Sequence, residues 1–245
     1  GKRAWRINDG ANTLRSSSNR THYALTGAGR IGRGMANDGF SGFISEVIVF
    51  NRVLSAAELK QIHTYLSVKY GLSVPVADHL YALDAVHQND VFGIGRNNAS
   101  ALNQSTSESA GMDDLLRLSS PSSLSDGDYL ICGNDNEAAL FAAYGGSNCT
   151  FNTVLSRDWK FRHVGDVGTV DLRFDMTGIA GFTATELRLL IDVDGDGYDD
   201  ETPVTGSYSA PYFTASGVTI PNGAVVTLCQ EKSHYYAVAS GLTSG

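Results

Sequence analysis

The chain has 245 residues, 42% of them hydrophobic and 18% charged, with a formal net charge of −8. This is a folding composition, long enough for one large core or two modest ones, and it excludes a disordered chain. The negative balance excludes a general nucleic-acid binder and adhesion to anionic lipid by charge alone, and no apolar run approaches the ~18 residues of a membrane-inserted helix.

Gly1 in place of an initiating Met is expected of a processed product or a fragment. Residues 1–50 read as β-structure broken by polar turns. Residues 42–50, dense in β-branched and aromatic side chains, predict a strand covered on both faces. Ser55-Ala56-Ala57-Glu58 is a capping box, with Leu54 and Leu59 at the staple positions. Leu59, Ile62 and Leu66, with Tyr65 and Tyr70 nearby, form the apolar stripe of a helix that Gly71 stops. His63 is expected at the surface or boundary of that helix. A linker at 73–76 places the domain boundary after residue 74, giving units 1–74 and 75–245.

β-patterning then returns. Short buried strands are predicted at 91–94 and 129–132. Gly93-Ile94-Gly95-Arg96 lacks the third glycine and the helix of a dinucleotide loop and reads as a tight turn. Trp159 and Phe161 alternate with Lys160 and Arg162. Val170, Leu172, Phe174 and Met176 alternate with Asp171, Arg173 and Asp175, and Leu187, Leu189, Ile191 and Val193 keep the same period of two. Further strands are expected at 218–220, 225–228 and 235–238. One helix among many short strands predicts an all-β chain with the architecture of an antiparallel sandwich.

Cys132 and Cys149 are close enough in sequence to close a short loop by a disulfide in a secreted protein; the alternative is that Cys132, Cys149 and Cys229 are buried thiols. The histidines show no metal-binding spacing, and no nucleophile motif or paired carboxylates stand out.

The sharpest chemistry lies at 192–201, where six acids fall within ten residues without a basic one. Packed together they repel unless a cation joins them. Asp192, Asp194 and Asp196 have the D-x-D-x-D-G spacing of a calcium loop, with Gly197 at the sharp turn. Hard Ca²⁺ takes oxygen donors, so the expected ligands are Asp192, Asp194, Asp196, the Tyr198 carbonyl and Asp200, completed by Glu201 or another loop. Pro203 stands at the twelfth position, and the flanks read as strands, which excludes a helix-pair switch. The alternative is an acidic, solvated turn. Gly133-Asn134-Asp135-Asn136 reads as a polar turn, with a second cation loop as the weaker alternative.

The stretch from Phe43 to Glu58, followed by Ile62, Tyr65, Leu66, Lys69, Tyr70 and Gly71, resembles the last strand and closing helix of a concanavalin A-like, laminin-G-like jelly roll of secreted bacterial proteins. Asn89-Asp90-Val91-Phe92-Gly93-Ile94-Gly95-Arg96, Gly133-Asn134-Asp135-Asn136, Arg157-Asp158-Trp159-Lys160 and the Asp192–Gly197 loop are similar to a β-sandwich module that follows such jelly rolls in large bacterial surface proteins. The resemblance implies an extracellular or cell-surface location and a structural or adhesive role without catalysis. It also implies an incomplete, jelly-roll-like antiparallel sandwich followed by a second antiparallel sandwich, with copies of the chain, or another polypeptide, supplying the missing strands. A lectin-like module binding glycans is the alternative, and a polysaccharide-cleaving enzyme a weaker one.

Overall fold

The computed structural model describes residues 3–5, 15–17, 39, 41–50, 52–70, 78, 85–108, 115–145 and 150–231. They divide into two compact units, Gly1–Ala56 and Ala57–Gly245. In the first, β1 (Arg3–Trp5) pairs antiparallel with β2 (Arg15–Ser17). Residues 42–50 form no strand. Phe43 is 99% and Val49 85% exposed, so the strand expected to be covered on both faces is not found there. High β propensity describes fit to a half-buried pleated surface, and the described residues build no ladder around this segment.

α1 (Ala56–Tyr70) begins where the capping box places it and, from Ala57 on, belongs to the second unit. Its buried residues are His63, Thr64, Tyr65, Ser67 and Val68, whereas Leu59, Ile62 and Leu66 of the expected stripe are only half-buried. His63, expected at the surface or boundary, is buried, and its Nδ1 donates to the Asp78 carbonyl at 3.2 Å. The reason is close approach. Small Thr64 and Ser67 let the helix backbone near the strands, and the Gln104 side-chain amide donates at 2.8 Å to both the Val68 and Gly93 carbonyls, tying helix to sheet. Tyr65 and Val68 pack with Val91, Leu102, Tyr129 and Ile131. The helix expected to close the first unit thus lies against strands of the second.

The strands in chain order are β3 (Asn89–Asn97), β4 (Leu102–Gln104), β5 (Ser107–Glu108), β6 (Leu116–Ser119), β7 (Tyr129–Asn134) and β8 (Phe141–Ala143). They continue as β9 (Phe151–Leu155), β10 (Trp159–Val164), β11 (Val170–Asp175), β12 (Leu187–Asp192), β13 (Val204–Thr205), β14 (Ser207–Ser209), β15 (Tyr212–Val218) and β16 (Val225–Glu231). A nine-stranded sheet runs β13-β12-β16-β10-β7-β3-β4, with β9 also on β16 and β8 on β9. A five-stranded sheet runs β14-β15-β11-β6-β5. All pairings are antiparallel, so the all-β sandwich reading holds.

The period of two fills the space between the sheets. Phe92, Ile94, Leu130, Trp159, Phe161, Leu189, Val226 and Leu228 meet Leu116, Leu118, Leu172, Phe174 and Phe213 in one core. Burying each such side chain contributes about 1.5–3 kcal/mol. Trp159 packs edge-on against Phe174, with ring centroids 5.6 Å apart. Its Nε1 is buried with no hydrogen-bond partner among the described residues. The strand expected at 91–94 is found and runs on through Gly95 and Arg96, which replaces the turn expected at 93–96; Ile131 and the Tyr129 ring pack where side chains at Gly93 and Gly95 would stand. β16 shares one edge between β10 (at Val225 and Val226) and β9 (at Cys229 to Glu231). Where β9 breaks from β10, the buried Thr227 hydroxyl lies 2.9 Å from both the Leu155 and Arg157 carbonyls and donates to them in turn.

Cys132 and Cys229 are buried, and Cys132 is a free thiol that burial pushes well above the usual range. Cys149 and the strand expected at 235–238 lie outside the described residues. Among the described residues no helix is long and apolar enough to cross a membrane.

Candidate metal centre

The acids at 192–201 sit at the end of β12, on the connection that leads to β13. Asp192 is the last residue of its strand and is 5% exposed. Its Oδ1 accepts from the Gly195 amide at 2.7 Å and its Oδ2 from the Gly197 amide at 3.3 Å. Both glycines have positive φ, 85° and 110°, a region that side chains with a Cβ avoid. The D-x-D-G-D-G sequence therefore folds its chain around its own first carboxylate.

Two groups of acids converge on this loop. Asp192, Asp194 and Glu201 each place an oxygen within 4.8 Å of the others, and so do Asp194, Asp196 and Asp200. Asp194 belongs to both, so the expected acids gather as two overlapping trios and not around one point. Glu201, the alternative completing ligand, reaches Asp192 and Asp194, and its Oε1 also accepts from the Val193 amide at 3.1 Å. The outer trio is exposed, while Asp192 is buried and Glu201 half-buried.

The electrostatics are those of crowded anions. A hydrogen bond with Asp194, then repulsion by Asp194 and Asp200, raises Asp196 above the usual carboxylate range. Burial first, then the charges of Asp200, Asp192 and Asp194, raises Glu201. Both shifts favour the neutral form over crowded charge, and a divalent cation would relieve the same repulsion more fully. An all-oxygen donor set suits a hard cation.

Behind the loop stands a polar network that no local spacing reveals. The Tyr198 amide donates to the Tyr144 hydroxyl at 3.2 Å, and the Tyr198 hydroxyl donates to Asp158 Oδ2 at 3.2 Å. His87 Nε2 lies 2.8 Å from Asp158 Oδ1. Burial and the Asp158 charge raise the Tyr198 phenol. Asp158 lies 40 residues from Tyr198 and 71 from His87 in the chain, so only the fold joins them. Tyr198, expected to offer its carbonyl, is thus also the side chain that anchors the loop. Of the turn expected at 133–136, Gly133 and Asn134 are instead the buried end of β7; beyond it Asn134 Oδ1 accepts from the Asn136 amide and Asp135 Oδ1 from the Glu137 amide, which caps the chain as it leaves the strand.

Comparison with known proteins adds one relationship. A family model described as a domain of unknown function, DUF8202, matches residues 58–224. No curated protein and no solved structure matches. The match runs from the first turn of α1 to the residue before β16 and covers well over half of the chain; the protein belongs to the DUF8202 family.

Proposed function

We propose that the second unit is a non-enzymatic, calcium-stabilised structural module of an extracellular or cell-surface protein. The convergence of Asp192, Asp194 and Glu201 on a loop already wound around Asp192 carries this reading. Oxygen donors alone favour Ca²⁺ over softer metals. A largely exposed shell suits the weak affinity of extracellular modules, about 10⁻⁴–10⁻³ M. The likeness of residues 43–71 to a jelly-roll ending supports the same setting.

The test is thermal melting of the full chain with and without Ca²⁺, in the native protein and in Asp194→Asn with Asp196→Asn. Both acids are exposed, so the double variant keeps its fold; losing like charges, it melts no lower than the native chain in chelator. It is expected to lose the calcium response. A native melt that ignores Ca²⁺ contradicts the proposal.

The exposed apolar residues between Phe43 and Val53 support assembly through added strands, from copies of the chain or a second polypeptide. Light scattering is expected to show mass that grows with concentration and that Val49→Asp suppresses. A monomer at every concentration contradicts self-assembly.

A further inference from the structure

The five-stranded sheet carries a pair of arginines on the face turned away from the core. Arg117 on β6 and Arg173 on β11 stand directly opposite each other. Leu116, Leu118, Leu172 and Phe174 on either side are fully buried, so the alternation of the strands sends both arginines to the open face. Like charges directly opposite destabilise a sheet. Among the described residues neither guanidinium has an ion-pair or hydrogen-bond partner. Arg173 instead stacks on Tyr212, its Cζ 4.4 Å from the ring centroid, which holds its planar fork in one orientation.

The acids on this face do not close on the pair. Asp171 and Asp175 flank Arg173 on β11, and Glu108 lies opposite Arg117 on the edge strand β5. Asp171 Oδ1 accepts from the Gly217 amide and Asp175 Oδ1 from the Thr177 amide, each at 2.9 Å, which leaves each carboxylate a second oxygen. Thr214 and Ser207 continue the row beyond Arg173.

We propose that this face binds an acidic carbohydrate, a polyhydroxylated ring that carries a carboxylate. The paired forks take the carboxylate by charge-assisted hydrogen bonds. The free oxygens of Asp171 and Asp175 accept from ring hydroxyls. This ligand uses both signs of charge on the face. A bare oxyanion meets three acids here, and a nucleic acid needs a wider basic surface than two arginines.

The test is binding of the full chain to polygalacturonate in chelator, so that no cation bridges the polymer to the acidic loop. The outcome is therefore independent of the calcium proposal. Saturable binding is expected, with a neutral glucan inert. Arg117→Ala and Arg173→Ala should each weaken it at least tenfold. Arg173→Lys should weaken it too, because the charge survives while the fork does not. These side chains face solvent, and unchanged melts will confirm intact folds. Failure to bind polygalacturonate better than the neutral glucan overturns the proposal, as does binding that both alanine variants retain. Equal binding of a sulfated, carboxylate-free glycan overturns the carboxylate assignment.

Discussion

Asp192 holds the acidic loop together and, in the proposed function, is also a cation ligand. Its carboxylate caps the Gly195 and Gly197 amides, and its remaining lone pairs would serve the proposed calcium site. Asp192→Ala loses both, so its stability is expected to fall even in chelator, by about 1–3 kcal/mol for the hydrogen bonds to a charged acceptor that are lost, seen as a lower melting temperature. Protons would compete with the proposed cation. The folded pKa values of Asp196 and Glu201 are raised, so protonation begins at a higher pH than for ordinary carboxylates, and calcium affinity is expected to fall as pH drops through that window. Calorimetric titration at stepped pH checks this; a pH-independent affinity contradicts it. Asp135 obeys the same sign. Burial, with a smaller contribution from the Asp158 charge, raises its folded pKa. The protonated form is favoured by folding below the unfolded pKa, and that advantage is lost as pH rises through the folded one. Asp135→Asn is therefore expected to melt higher than the native chain at neutral pH, with the gap closing in acid.

At the scale of elements, Thr227 shows how a strand break is tolerated. Thr227→Val keeps the shape but removes the only donor that side chain offers to the Leu155 and Arg157 carbonyls. A loss of about 1–3 kcal/mol is expected in a denaturant titration, while an unchanged midpoint would mean those carbonyls find other donors. The same scale explains what was legible in the sequence. β10 and β11 were readable because Trp159, Phe161, Val170, Leu172 and Phe174 follow the pleat strictly; β12 was readable from Leu187 and Leu189, but the alternation expected on to Ile191 and Val193 gives way to burial of Leu190 and Asp192, and Val193 lies exposed beyond the strand. β6 and β9 were not, since Leu-Arg-Leu-Ser and Phe-Asn-Thr-Val-Leu are too short and polar to stand out locally. Only Val218 of β15 fell within an expected strand, because Thr214, Ser216 and Gly217 dilute the apolar pattern. The start of α1 was visible in its capping box, but its buried face was not, because Thr64 and Ser67 are buried for their small size. The acidic loop was legible because its spacing is local. The support from Asp158 and His87 arises only when β10, the start of β3 and the loop after β12 are brought to one end of the sheet.

Over the whole molecule, charge is concentrated. Six acids of the strongly negative chain crowd into residues 192–201, and elsewhere acidic and basic residues nearly balance. A chain so arranged is not repelled throughout; it carries one anionic loop whose repulsion a single divalent ion would offset. Scanning calorimetry of the full chain tests this most directly, with one sample in chelator and one in Ca²⁺ at about a hundredfold excess over the dissociation constant. Binding at that excess adds about 2.7 kcal/mol, which raises the melting temperature of a unit this size by about 5–10 °C. That rise, absent from Asp194→Asn with Asp196→Asn, is the expected result; superimposable native melts in chelator and calcium would contradict the account.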